Sequence, residues 1–156
     1  MNSSHLLRRL AFAGLALTAA PLFAADVTAT WSAPTSGVWN ANGNWTNVPA
    51  LGGFPNNGNG GVATYDAMIS ATGSAYTVTL NTNITVEDLT LSSANATINH
   101  TAGTFTATGA IAISGGTYQL NGGTISNTVI NQSGTGNLLI TANSANLLSG
   151  VTVNGT

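Results

Sequence analysis

The sequence contains no cysteine and very little charge. The absence of cysteine excludes disulfide bonds and thiolate metal sites. Charged residues make up 4% of the chain, whereas about a quarter is usual in globular proteins. The two basic residues, Arg8 and Arg9, lie at the extreme N-terminus, so the rest of the chain has no Lys or Arg with which to neutralise phosphate groups. We therefore expect no nucleic-acid partner and no binding to anionic membrane surfaces.

The low charge does not indicate disorder. Disordered segments combine low hydrophobicity with high net charge, but 43% of these residues are hydrophobic and they are evenly spaced. The remaining positions are mostly Gly, Asn, Thr and Ser. A chain of 156 residues has room for one domain, and we expect its surface to be polar without being ionic.

Residues 1–24 have the layout of a secretory signal peptide. A basic head with Arg8 and Arg9 precedes an apolar run over residues 10–23, and Ala24 and Ala25 provide small residues for cleavage after Ala24. The run is shorter than the ~20 apolar residues that span a bilayer. We therefore expect a protein exported through the inner membrane, secreted or at the cell surface, with no membrane span in the mature chain. Cleavage would change the formal charge from −2 to −4.

Residues 76–156 alternate apolar and polar positions, and the pattern repeats about every 20–22 residues. Strict alternation indicates short strands with one buried face, and the Gly-rich breaks between them indicate turns. Three series share this period: Ile84, Phe105 and Ile125; Leu89 and Ile111; Ala96, Tyr118 and Leu138. A period of this length is typical of stacked repeats. The prediction is an all-β, right-handed parallel β-helix (a β-solenoid).

Residues 25–75 do not fit the repeats and contain the three tryptophans, Trp31, Trp39 and Trp45. A solenoid needs an atypical terminal element to cover its first coil, so we predict that this segment is a Trp-rich N-terminal cap. The alternative is that Trp39, Trp45 and Tyr76 are exposed and stack on sugar rings as carbohydrate-binding residues.

The last residues, 151–156, begin another strand, and no charged side chain follows Asp88. Native proteins normally hide or charge an open sheet edge. The pattern therefore predicts either a truncated chain or self-association through the C-terminal edge.

Several short motifs resemble the N-terminal part of secreted β-strand-repeat surface proteins of Gram-negative bacteria. These motifs are Trp39-Asn40, Asn44-Trp45, Pro55-Asn56-Asn57, Tyr76-Thr77-Val78-Thr79-Leu80 and the Gly-Gly-Thr corners at 115–117 and 122–124. The proteins in question are autotransporter-type passenger regions and large exoproteins with a C-terminal sorting signal. The resemblance implies export, a β-solenoid and a role in adhesion or in a surface matrix.

The residues that could carry chemistry are few. Asp66, Glu87 and Asp88 are the candidate acids for cleaving a polysaccharide, which usually requires two carboxylates. Glu87 and Asp88 are adjacent, so on a strand their side chains would point to opposite faces. His100 is the only histidine after residue 24 and is interpreted as a solvated corner residue. We predict no catalytic residue, no metal site and no cofactor.

The leading interpretation is a non-enzymatic exported β-solenoid of a cell-surface or matrix protein of adhesin type. The first alternative is a carbohydrate-binding or carbohydrate-active β-helix, with a surface polysaccharide as partner. The second alternative is a self-assembling fibre subunit. The carbohydrate alternative would require the acids to come together in the fold, and the fibre alternative would require open coil edges.

Overall fold

A computed structural model describes residues 25–155 as a parallel β-solenoid and is nearly all β. The predicted signal peptide, residues 1–24, lies outside the described residues. The predicted fold class is confirmed, because successive strands stack in parallel on three sides of a common interior. Within residues 25–155, no helix is long and apolar enough to cross a membrane.

Sixteen strands of the described residues form three sheets. The strands of the first sheet are β1 (Val27–Trp31), β3 (Trp45–Val48), β4 (Tyr65–Ile69), β7 (Asp88–Leu91), β10 (Ala110–Ile113), β13 (Val129–Gln132) and β16 (Thr152–Asn154). Those of the second are β2 (Gly37–Val38), β5 (Tyr76–Leu80), β8 (Ala96–His100), β11 (Thr117–Leu120) and β14 (Asn137–Ile140). Those of the third are β6 (Ile84–Val86), β9 (Thr104–Ala107), β12 (Thr124–Ser126) and β15 (Leu147–Ser149).

Each complete coil gives one strand to each sheet. The four complete coils are β4-β5-β6, β7-β8-β9, β10-β11-β12 and β13-β14-β15. The first sheet has the spatial order β16-β13-β10-β7-β4-β1-β3, in which only the β1–β3 pair is antiparallel. A single coil has no opposite layer to cover its apolar face, so the interior exists only because the coils stack.

The interior is built from in-register columns of apolar side chains. Alternate residues of β4 to β11 are buried, as the two-residue period of a strand requires. The predicted pairs are confirmed for Ile84 with Phe105, Phe105 with Ile125, and Leu89 with Ile111.

One link of the third predicted series is wrong by two residues, whereas its other link, Tyr118 with Leu138, is confirmed. Tyr118 lies beside Ile98 and not beside Ala96, which pairs with Tyr76. Alternation repeats every two residues, so a shift by two keeps every side chain on the same face of the sheet. The lengths of the turns between strands decided the register instead.

The N-terminal cap closes the first coil on all three sides. On the first sheet β3 covers the edge of β1, with Trp31 opposite Trp45. On the third sheet the loop at Asn56 and Asn57 covers β6. The backbone N–H of Thr85 donates to Asn56 Oδ1 (2.8 Å), and the N–H of Asn57 donates to the Thr85 carbonyl (2.7 Å). On the second sheet β2 pairs with β5. The edges of β1, β5 and β6 at this end are therefore paired or covered, and β3 and β2 become the terminal strands of their sheets.

Parallel stacking begins before Tyr76, where sequence analysis placed the first repeat. β4 belongs to the first complete coil, and β1 stacks in parallel on β4 with Ala29 beside Ala67. Sequence periodicity did not assign these strands to the repeats, because the long loop between β3 and β4 interrupts the regular spacing.

The opposite end of the described residues is open. The inward positions of the last coil are partly exposed: Ile140 (48%), Leu148 (37%) and Val153 (46%). Their in-register neighbours in the preceding coil, Leu120, Ile125 and Ile130, are fully buried. The difference arises because no further coil packs on the last one in the described residues.

Candidate functional site

A groove lies on the outer face of the first sheet. Its volume is about 340 Å³. It crosses β1, β4, β7 and β10 and is lined by Thr28, Asp66, Met68, Asp88, Leu89, Thr90, Ala110 and Ala112. The alanines of β10 project only a methyl group from the outer face, which leaves space beside the longer side chains of β4 and β7.

The groove brings together two of the three predicted acids. Asp66 on β4 and Asp88 on β7 are in-register partners in adjacent parallel strands. Neighbouring strands lie about 4.8 Å apart, and both carboxylates line the groove. The fold therefore places two carboxylates side by side at the edge of a cavity open to solvent.

The environment of Asp66 favours its neutral form. Partial burial raises the pKa of Asp66, and the carboxylates of Asp88 and Glu87 raise it further, while the backbone N–H of Asp88 opposes the rise. The buried oxygen Asp66 Oδ1 has no hydrogen-bond partner within the described residues. A neutral carboxyl group at this position could donate a proton to a bound molecule.

Asp88 has a different environment. Its side chain is exposed, and Oδ1 accepts a hydrogen bond from the backbone N–H of Ala110 (2.7 Å). The Cα of Gly109 lies so close to this carboxylate that a side chain there would collide with it. The turn before β10 therefore holds the Asp88 carboxylate beside the groove.

Glu87 lies outside the groove lining. It lies between β6 and β7 and is partly exposed, as expected for a corner residue. Because it is adjacent to Asp88 in the chain, the groove contains one acid of this pair and not both.

Sequence analysis named both acids but left open whether the fold brings Asp66 near Asp88, because the two are far apart in the sequence. The signal was present, because these residues are separated by 22 positions, as are Leu89 and Ile111. Two residues one coil apart are neighbours on the same face of a solenoid. Applying the period to the polar residues as well as to the apolar ones would have found the pair.

The predicted sugar-stacking residues have no exposed ring face in this structure. Trp39 is fully buried, Trp45 is 7% exposed and Tyr76 is 2% exposed. Stacking on a sugar requires an accessible ring face. We therefore correct the alternative assignment of these three residues: they pack in the interior, and a carbohydrate could reach them only if the coils opened.

The tryptophans instead form the aromatic cluster of the cap. The ring centroids of Trp31 and Trp45 are 5.0 Å apart, and those of Trp39 and Trp45 are 4.8 Å apart, both in edge-to-face geometry. The indole N–H of Trp39 donates to the carbonyl of Pro55 (2.8 Å), and that of Trp45 donates to the carbonyl of Trp39 (2.7 Å). These contacts support the predicted Trp-rich cap.

The interpretation of His100 as a solvated corner residue is wrong. Its side chain is fully buried at the end of β8. The position follows the alternation of the strand, since Ala96 and Ile98 also point inward, and both imidazole nitrogens find hydrogen-bond partners inside.

The described residues hold no group of three or more His, Cys, Asp or Glu side chains that could bind a metal ion. The groove combines two carboxylates with an apolar floor of Met68, Ala110 and Ala112. This arrangement is suited to proton transfer at a neutral ligand, since the part of the sequence that the structure describes contains no Lys or Arg to balance an anionic one.

Comparisons with known proteins identify no relative. A scan against protein-family models finds no matching family, and searches of the curated proteins and of the solved structures find no match.

Proposed function

We propose that the chain is an exported, non-enzymatic β-solenoid of a cell-surface or extracellular matrix protein, and that it binds neutral polysaccharide as an adhesin does. The observation that carries this proposal is the regular array of uncharged polar side chains on the outer face of the second sheet. Thr77, Thr97 and Thr117 form one in-register column, and Asn137 continues it.

The array suits a neutral, hydroxyl-rich polymer. A second column on the same face contains Asn99 and Gln119, which hydrogen-bond to each other (3.4 Å). Hydroxyl and amide groups repeat about every 4.8 Å along the solenoid, and each can donate and accept hydrogen bonds. A surface of this kind offers many weak and equivalent contacts to a repeating sugar chain. It presents no ionic group that would favour a charged polysaccharide over a neutral one.

Removing the hydroxyl groups of this column should weaken polysaccharide binding about tenfold or more, because each lost hydrogen bond costs roughly 1 kcal/mol. The test variant replaces Thr77, Thr97 and Thr117 with Val, which keeps the shape and the strand preference of each side chain. The matched control makes the same change at Thr104, Thr106 and Thr124 on the third sheet. Binding to immobilised neutral polysaccharides is measured for both. Equal binding by the two variants would contradict the assignment of the second sheet.

Export is tested separately. The chain is expressed in a Gram-negative host with a C-terminal tag, in full and without residues 1–24. We expect the full chain to leave the cytoplasm and to lose its first 24 residues, as measured by intact mass, because the apolar run drives export. The shortened chain should stay in the cytoplasm. Retention of both forms there would contradict the proposal.

A second candidate function is cleavage of a polysaccharide in the groove. The observation that favours it is the in-register pair Asp66 and Asp88, whose carboxylates both line the groove. Retaining glycoside hydrolases likewise use two carboxyl groups at the scissile bond. Asp66 would protonate the leaving oxygen, and Asp88 would attack the sugar from the other side of the bond.

For this second candidate, Asp66→Asn should lower any hydrolytic rate by at least a factor of about 100, the lower end of the effect of losing general acid–base catalysis. Asp88→Asn removes the nucleophile and should lower the rate at least as far. The matched control is Glu87→Gln, which changes an acid outside the groove and should leave the rate nearly unchanged. Release of reducing ends from a polysaccharide panel is the measurement. Activity that survives both aspartate changes would eliminate the groove as its source.

The fibre alternative receives less support. Fibre growth by stacking coils end to end needs an open face at each end of the solenoid. At the N-terminal end, β3 and the loop at Asn56 and Asn57 cover the edges of β1 and β6. The inward-facing residues that are left exposed, Ile140, Leu148 and Val153, lie at the other end of the described residues.

A further inference from the structure

The described interior of the solenoid contains one histidine. Its hydrogen-bond partners satisfy the neutral imidazole ring but not the protonated one. His100 is fully buried. Its Nε2 lies 3.1 Å from the carbonyl oxygen of Gly103, and its Nδ1 lies 3.0 Å from the hydroxyl group of Tyr118. The Cα of Gly123 packs so closely against the ring that a side chain at Gly123 would collide with it.

These partners define the tautomer of the ring. The Gly103 carbonyl only accepts hydrogen bonds, so Nε2 must carry the proton and donate. Nδ1 then accepts from the Tyr118 hydroxyl. A second proton on Nδ1 would turn this acceptor into a donor, and the Tyr118 hydroxyl proton would need another acceptor.

The groups that face the ring supply no charge to compensate a cation. In register with His100 are Leu80 on β5 and Leu120 on β11, and Phe105 on β9 lies in the same interior cluster. Tyr118 is the titratable group that contacts the ring, and burial raises the pKa of its hydroxyl, so it stays neutral. The hydrogen bonds of the described residues include none between His100 and Asp26, Asp66, Glu87 or Asp88.

The ring also ends a chain of aromatic contacts that begins in the cap. Trp39 contacts Phe105 (centroids 5.6 Å apart), Phe105 contacts Tyr118 (6.1 Å), and Tyr118 contacts His100 (6.1 Å). His100 and Tyr118 belong to successive coils, so a disturbance of their hydrogen bond acts on the stacking of β8 and β11. The tryptophans lie at the other end of this chain, within the cap.

We propose that His100 is an acid-sensitive latch of the solenoid: its protonation in mildly acidic solution separates β10 to β16 from the coil β7-β8-β9, while the tryptophan cap remains folded. This inference is independent of the proposed function, because it concerns the interior and not the outer faces.

The direction of the pH effect follows from burial. Desolvation lowers the pKa of His100, and the backbone carbonyls at Gly103 and Ala102 oppose the shift only in part. The unfolded chain therefore binds a proton more readily than the folded one. The contribution of neutral His100 to folding stability is complete only above the ordinary histidine pKa of about 6.5. It is lost as the pH falls through that value. Protonation of Asp66 has the opposite effect on folding stability, because the pKa of Asp66 is raised in the folded state.

The experiment compares His100→Gln with the wild-type residue in the full chain, both carrying His5→Gln so that no other histidine titrates. Glutamine can accept from Tyr118 and donate to Gly103, but it does not become charged. Between pH 7 and pH 5 we expect the unfolding equilibrium constant of the chain that keeps His100 to rise by up to ~25-fold relative to that of the His100→Gln control, from the reference histidine pKa and a folded ring that stays neutral. Equal pH dependence in the two chains would overturn the proposal.

Two further readouts test where the opening occurs and cover the case in which the variant does not fold. Hydrogen exchange at pH 5, corrected for the intrinsic rate, should show loss of protection in β10 to β16 while tryptophan emission keeps its pH 7 maximum. Simultaneous loss of both signals would overturn the localised latch. In the chain with the wild-type His100, ring NMR should show the Nε2–H tautomer and no titration while folded; a ring that titrates near pH 6.5 in the folded state would also overturn it.

Discussion

Replacing Trp39 with alanine lowers the free energy of unfolding by about 3–5 kcal/mol, the usual cost of truncating a buried tryptophan. The ring is fully buried and packs edge-to-face against Trp45 and Phe105. Its indole N–H group also donates a hydrogen bond to the Pro55 carbonyl (2.8 Å). The substitution leaves a cavity at the junction of the cap and the coils and leaves that carbonyl without a partner.

The measurement is equilibrium unfolding in urea. Trp39→Phe should lose less stability than Trp39→Ala, since it keeps an aromatic ring but not the N–H donor. The surface control is Val48→Ala at a position that is 68% exposed, where a change within about 0.5 kcal/mol is expected. If Trp39→Ala were no more harmful than Val48→Ala, the aromatic cluster would not stabilise the cap.

Replacing Gly116 with alanine should destabilise the chain by about 2–4 kcal/mol, through backbone strain and overpacking together. Gly116 has a φ of +69°, a conformation that residues with a Cβ adopt at a cost. A Cβ atom there would also collide with the carbonyl oxygens of Ser93 and Ala96 in the preceding coil. The Ser93 carbonyl accepts a hydrogen bond from the Ala96 N–H (3.2 Å), so this turn cannot easily move away.

The matched control is Gly43→Ala. No heavy atom would lie within 4 Å of a Cβ atom at Gly43, so its replacement should change the free energy of unfolding by less than about 0.5 kcal/mol. Thermal unfolding of both variants checks the difference. Similar melting temperatures would mean that the coils are not packed as closely at this corner as the structure shows.

The two predictions test different parts of the solenoid. Trp39 joins the cap to the first coils, and Gly116 lies at the turn before β11, where β11 stacks on β8. The strands of the stack pair only with those of adjoining coils, so the damage at each position should be greatest nearby. Hydrogen exchange of the two variants would therefore show loss of protection at different ends of the chain.

The sites were harder to predict than the fold, for a physical reason. Alternation decides whether a side chain points inward or outward, and it does so from the strand alone. It does not decide which residues of different coils become neighbours, because that depends on the turns between strands. Tyr118 was therefore assigned to the correct face and to its correct partner Leu138, but to the wrong partner in β8, and the register of Asp66 with Asp88 was left open.

Burial of the aromatic and histidine side chains also depended on the stacked coils. The sequence showed that Trp39 and Trp45 belong to a segment outside the regular repeats, and cap and sugar site were both open alternatives. The fold decided between them, because β3 turns back against β1 and brings the two rings together in the interior. His100 required the same information, since its partner Tyr118 lies 18 residues away in the next coil.

By itself, the amino-acid sequence determined the β-solenoid, its period of about 20–22 residues, the inward and outward faces of its strands, and a surface poor in charge. These properties follow from local alternation, glycine at turns and composition. Only the tertiary structure decided the register between coils, the carboxylate pair in the groove, the closed N-terminal end and the buried contact of His100 with Tyr118. Each of these is a contact between coils, and such contacts are set by how the whole chain stacks.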